Sequence, residues 1–101
     1  MLTLLLSLLG SYSGNGCHLT IAANEISFND DMGDRTLWNT GHALRTQVSQ
    51  GKGTLVFDHA RSSLMDMTIH LEIRLENGRP VAYDVAGHGM FGGTALTCTL
   101  N

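Results

Sequence analysis

The sequence predicts an all-β fold: a small antiparallel β-sandwich or barrel of about seven short strands, closed by one disulfide. Three observations carry this expectation. Apolar residues recur with a period of two rather than 3.6. Glycine, asparagine and aspartate interrupt the chain at turn-like intervals of roughly eight to twelve residues. Two cysteines, Cys17 and Cys98, lie far apart, near opposite ends of the chain. A length of 101 residues holds one domain, and a domain this small buries only about 60 to 65% of its unfolded surface, so an added restraint is valuable.

The chain begins with an apolar block, Leu2–Leu9, reading LTLLLSLL. It is too short to span a bilayer, which takes about 20 apolar residues, so no transmembrane segment is expected. It matches the apolar region of a signal peptide, and Ser11-Tyr12-Ser13 supplies small residues at the two key cleavage positions. Residues 1–13 are therefore read as a signal peptide or N-terminal segment that adds little to the core, and 14–101 as a single β-rich domain. No Lys or Arg precedes the block, and a buried strand or short helix would explain the same leucines. Acylation of Cys17 is disfavoured, because Gly14-Asn15-Gly16 lacks the leucine usual three residues before a lipidated cysteine.

Cys17 shares a strand face with Leu19 and Ile21, and Cys98 with Leu96 and Leu100. In an exported small domain two such cysteines form a disulfide more often than two thiols. Closing a loop of about 80 residues is worth roughly 4 to 5 kcal/mol by chain entropy.

The next strands are short. Leu19–Ala22 and Glu25–Phe28 read as two strands, or as one kinked at Ala23-Asn24. Thr36–Asn39 carries the single tryptophan. Ala43–Val48 and Thr54–Asp58 flank Gln50-Gly51-Lys52-Gly53 as a candidate hairpin. Ala60–Ser63 reads as a loop or one helical turn. No stretch beyond residue 16 shows sustained helical amphipathicity.

Met65–Leu75 is the clearest strand. Met65, Met67, Ile69, Leu71, Ile73 and Leu75 face one way, and Asp66, Thr68, His70, Glu72 and Arg74 the other. Glu76-Asn77-Gly78-Arg79 is a strong hairpin signal, and Val81, Tyr83 and Val85 return. A two-residue loop would pair Glu76 with Arg79 but put the returning apolar residues on the polar face. A three-residue loop pairs Ile73 with Val81, Leu71 with Tyr83, Ile69 with Val85, and His70 with Asp84. A one-residue slip exposes a whole apolar set, which outweighs one surface ion pair worth under about 1 kcal/mol. The three-residue loop is expected. Thr94–Leu100 closes the fold.

Composition narrows the function classes. A hydrophobic share of 43%, a charged share of 15%, and twelve glycines against one proline fit a folded, turn-rich chain. The net charge is −3, and Arg35, Arg45, Lys52, Arg61, Arg74 and Arg79 are scattered singly. No basic run exists to neutralise a row of phosphates, so no nucleic-acid partner is expected.

Five histidines suggest metal or acid–base chemistry, but no helical zinc spacing or Cys-x-x-Cys is present. The expected register brings His70 beside Asp84, an arrangement able to fix an imidazole tautomer; a solvated cross-strand pair explains it as well. Asp58-His59, with Ser62 and Ser63 close behind, has the composition of a catalytic triad without a nucleophile elbow. Asp30, Asp31 and Asp34 crowd one turn with calcium-friendly oxygens, but EF-hand spacing is missing and a surface turn suffices. Gly87-His88-Gly89-Met90-Phe91-Gly92-Gly93 reads as a loop able to present His88, Met90 and Phe91 to a partner. No cofactor fingerprint occurs.

The resulting expectation is a secreted or periplasmic β-domain, not an enzyme, that binds a protein or other extracellular macromolecule. An inhibitor, an immunity-type protein or a surface-assembly subunit would fit. The alternative is a small hydrolase or metal-binding protein using its strand and loop histidines.

Overall fold

Leu19, Ile21, Ile26, Phe28 and Leu37 alternate with half-exposed neighbours and are themselves completely or almost completely buried. That period-two burial builds the first of two sheets in the computed structural model, which describes residues 6–31, 33–51, 53–61, 68–89 and 92–101, the side chains of 59–61, 88, 89, 92 and 94 excepted. The first sheet is a meander of β1 (Gly10–Gly14), β2 (Cys17–Ile21), β3 (Glu25–Asp30) and β4 (Gly33–Trp38). The second is a meander of β5 (Thr54–Arg61), β6 (Thr68–Glu76), β7 (Arg79–Gly89) and β8 (Gly92–Thr99). Both are antiparallel, and they pack together face to face. The fold class is as expected, with eight strands among the described residues rather than about seven.

The core lies between the sheets. Leu55, Phe57, Ile69, Leu71, Ile73, Tyr83 and Val85 of the second sheet meet the apolar face of the first. Phe28 and Tyr83 meet edge to face across the interface, 6.0 Å between ring centres. The Tyr83 hydroxyl donates to the Asn29 carbonyl oxygen at 2.7 Å, so a buried phenol is satisfied by the opposite sheet. Cys17 and Cys98 form the disulfide, with Cα atoms 6.1 Å apart. It ties β2 to β8, and therefore one sheet to the other.

Three expectations need correction. The first is the hairpin register. Glu76 pairs with Arg79 around a two-residue Asn77-Gly78 turn, both residues having positive φ (53° and 76°), as a tight right-twisted hairpin demands. The apolar faces are restored by a bulge instead of a longer loop. One extra residue, Val81, sits between the Leu75↔Pro80 and Arg74↔Ala82 pairs. Ile73 then faces Tyr83, Leu71 faces Val85, and His70 faces Ala86, not Asp84. Local turn chemistry and global burial are both satisfied, because a bulge shifts register by one residue within the strand.

The second is the segment expected as a strand at Ala43–Val48, which is the helix α1 (Gly41–Ser49). Its buried residues Gly41, Leu44 and Val48 are three and four positions apart, a one-faced helical stripe too short to register as amphipathic. Gly51 ends it at φ +67°, donating to the Val48 carbonyl, so the glycine read as a hairpin turn is a helix stop. At the other end, Asn24 Oδ1 accepts from the Gly41 N–H at 2.9 Å. A Cβ at Gly41 would lie 2.7 Å from the Ala23 carbonyl oxygen, so only glycine lets the helix start against the β2–β3 turn.

The third concerns the N-terminal segment. Leu8 is fully buried in the core, Leu9 packs against it, and Tyr12 donates to the Leu8 carbonyl at 2.8 Å. Pairing of β1 with β2 carries these residues over the sandwich, so the segment adds more to the core than expected. Among the described residues no helix is long and apolar enough to cross a membrane.

Candidate functional site

The two sheets are held together differently on their two flanks. On the β1–β8 flank the Asn101 N–H donates to the Ser13 carbonyl at 2.9 Å, and Asn15 Nδ2 to the Thr99 carbonyl at 3.1 Å. On the opposite flank the edge strands β4 and β5 are bridged by α1. Here Gln47 on the helix bonds both backbone groups of Val56: its Nε2 donates to the carbonyl, and its Oε1 accepts from the N–H.

Beside this bridge lies a cleft of about 340 Å³, lined by Trp38, Asn39, Thr40, Ala43, Val56, Phe57 and Asp58. Its volume is within the range of small-ligand or side-chain pockets. Trp38 ends β4 with its side chain on the outer face and remains 53% exposed. Asn39 then turns the chain at φ 59°, a left-handed conformation that asparagine tolerates. Thr40 is only 3% exposed, and its Oγ1 finds no hydrogen-bond partner. A buried hydroxyl left unpaired costs free energy, and a native structure seldom leaves one without a reason.

Asp58 reaches the cleft because of a second bulge. Phe57 pairs with Leu71 and Ala60 with Ile69, so Asp58 and His59 together oppose His70. Asp58 Oδ1 is 3.1 Å from His70 Nδ1, and Glu72 Oε2 is 3.8 Å from His70 Nε2. The carboxylate beside His70 is therefore Asp58, supplied by β5. Asp84 instead lies opposite Glu72, with the Arg74 guanidinium 3.7 Å away. The expected His70–Asp84 dyad is not formed, because the bulge at Val81 displaces the pair.

The other sequence candidates separate. Asp30 is buried against Arg35, Nε to Oδ2 3.0 Å, whereas Asp34 is exposed and 2.7 Å from His18 Nε2. Asp31 occupies the exposed turn. Among the described residues no three His, Cys, Asp or Glu side chains are grouped to hold a metal ion. The glycine-rich segment is strand rather than loop up to Gly89, which pairs with Gly92. Met90 and Phe91 lie outside the described residues, as do Ser62, Ser63, Met65, Met67 and the side chains of His59 and His88. Trp38 is visible in the sequence as the single tryptophan and Asp58 beside His59, Ser62 and Ser63 as a triad component, but no sequence pattern joins the two in one cleft. That needs α1, whose position no local pattern reveals.

The outer faces of the two sheets differ in character. Ser11, Thr20, Ser27 and Thr36 pair in a row across all four strands of the first sheet, Ser11 to Thr20 at 3.1 Å and Ser27 to Thr36 at 3.2 Å. That row is uncharged. On the second sheet the row Val56–Glu72–Asp84–Thr97 runs from the cleft wall across four strands. No protein-family profile, curated protein or solved structure matches the chain.

Proposed function

We propose that the protein is an exported, non-enzymatic binding module that engages another macromolecule through the cleft beside Trp38. The single observation that carries the reading is a half-exposed indole standing over a cleft between β4, α1 and β5. Large rigid aromatics next to a pocket are favoured recognition anchors, and the cleft is lined by β4, α1 and β5 together with the short Asn39-Thr40 connection. The Cys17–Cys98 bond supports an oxidising compartment, secreted or periplasmic.

Site-specific photo-crosslinking tests this. A benzophenone amino acid placed at Ala43, in the cleft wall, should give a discrete adduct in the producing cells. The same probe at Thr97, at the far end of the second sheet, should not. Equal labelling from both positions, or an Ala43 adduct undiminished by Trp38→Ala, would sink the reading.

A further inference from the structure

Resting on that cleft as the binding site, we infer that its ligand is a neutral polysaccharide, with one sugar ring stacked on Trp38 and the chain continuing over the hydroxyl row of the first sheet. Trp38 belongs to both surfaces. It lines the cleft, and as the last residue of β4 it shares the outer face of the sheet with Thr36, two positions earlier. Glu25 lies directly opposite Trp38 on β3, and Ser27 directly opposite Thr36. An indole, a carboxylate and two hydroxyls therefore occupy neighbouring positions on one face, with about 4.5 to 5.5 Å between the Cβ atoms of each facing pair.

Each of these groups suits one part of a sugar. A pyranose presents C–H groups on its ring face and hydroxyls around its rim. The C–H groups carry slight positive charge and pack on the negative face of an aromatic ring. An ionised carboxylate accepts O–H bonds on both oxygens, so it can take two adjacent sugar hydroxyls. Among the described residues the Glu25 carboxylate has no hydrogen bond or ion pair, and the Trp38 indole N–H no acceptor. The hydroxyls of Ser27 and Thr36 bond at 3.2 Å, and those of Ser11 and Thr20 at 3.1 Å. Each such pair uses one of its two hydrogens and keeps one O–H donor and spare lone pairs. The row repeats at the strand spacing of about 4.8 Å across all four strands. Successive units of a chain would find the same groups, which favours a polymer over a single sugar.

A protein partner suits this face less well. Protein interfaces are built around an apolar core, whereas Leu6 and Trp38 are the only large apolar side chains left exposed among the described residues. On its face of the sheet the indole stands alone among polar groups. An acidic polymer suits it no better. β1 to β4 contain one lysine or arginine, Arg35, and it is buried against Asp30.

Calorimetric titration of the intact, disulfide-bonded protein with cellohexaose, laminarihexaose, mannohexaose and chitohexaose tests the assignment, with hexagalacturonate as the acidic comparison. Trp38 is the only tryptophan, so its emission is a second readout from the site itself. At least one neutral hexasaccharide should bind saturably and shift the emission, its monosaccharide far more weakly, and hexagalacturonate not at all. Trp38→Ala should weaken binding roughly tenfold, while Trp38→Phe, which keeps a ring face, should retain part of it. Glu25→Gln and Thr36→Val should each weaken it several-fold, and Thr97→Ala, on the other sheet, should leave it unchanged. No saturable binding by any neutral hexasaccharide, or binding untouched by Trp38→Ala, would overturn the inference. An Ala43 adduct whose added mass resolves into peptides would overturn the sugar ligand while leaving the cleft as the binding site. Failure of the Ala43 crosslink would remove the cleft itself, and the inference with it.

Discussion

Gln47 pairs with Val56 as a residue of a neighbouring strand would, its side-chain amide taking both the N–H and the C=O that β5 turns outward. In an antiparallel ladder a hydrogen-bonded pair exchanges these same two bonds. An exposed edge is an invitation to pair with another chain, and covering it is one of the standard remedies. Here a helix covers the edge and supplies the missing hydrogen bonds from a single side chain.

Gln47→Ala should therefore cost about 1 to 3 kcal/mol, the penalty for leaving buried backbone groups unpaired. Urea unfolding measures the loss. Hydrogen exchange locates it: the Val56 amide should lose protection while Leu71 and Ile73 keep theirs. Gln47→Glu retains the acceptor for the Val56 N–H but faces the carbonyl with a carboxylate, so it should be no more stable than Gln47→Ala at neutral pH. Unchanged protection at Val56 in both variants would show that the amide is not its partner.

The register of the β6–β7 hairpin has its own signature. Leu71 is fully buried, and Leu71→Ala should cost about 2 to 5 kcal/mol. Val81, at the bulge, is half-buried, so Val81→Ala should cost clearly less. Gly78→Ala places a Cβ at φ 76° and should cost about 1 kcal/mol. A Val81→Ala loss as large as that of Leu71→Ala would favour a register with Val81 facing Ile73.

Reduction of the Cys17–Cys98 bond should lower stability by roughly 4 to 5 kcal/mol, the chain-entropy value for a loop of this size. Because the bond joins β2 to β8, the loss should be global rather than confined to one sheet. Unfolding curves of the oxidised protein and of Cys17→Ser with Cys98→Ser, recorded by near- and far-ultraviolet dichroism, would reveal it. Superimposable curves would contradict the role assigned to the bond.

Burial pushes the Tyr83 phenol above its ordinary value, with nearby Asp30 adding to the rise. The unfolded chain ionises its tyrosines first, near pH 10. Above that pH the native state holds the extra proton, so stability falls as pH rises. The contribution is complete below about pH 10 and is lost as pH climbs through the folded-state value. Tyr12 shifts in the same direction, also through burial. Tyr83→Phe should be less stable at neutral pH, through loss of its bond to Asn29, and should show a shallower alkaline decline. An equal slope in both proteins would mean that Tyr83 does not govern it.

The strand alternation was legible because burial on one face of a sheet writes itself into every second residue. Ile69, Leu71 and Ile73 announce β6, and Leu96, Cys98 and Leu100 announce the last strand. The Cys17–Cys98 pairing was legible for a simpler reason: there was no third cysteine to choose. The Asn77-Gly78 turn is legible too; a strict period of two argues against its preferred geometry, and the bulge at Val81 removes that conflict. What only the tertiary structure decided was where the period is broken. The bulge at Val81 and the bulge at Asp58-His59 each shift register by one residue. They separate His70 from Asp84 and bring it to Asp58. The helix follows the same rule. Leu44 and Val48 are too few to specify a helix alone, and Gly41–Ser49 is held by Asn24 at its start, by the core beneath it and by Val56 beside it. The cleft exists because that helix bridges two sheet edges. A sequence records what each residue prefers locally, whereas a site assembled from β4, α1 and β5 depends on distances that only packing sets.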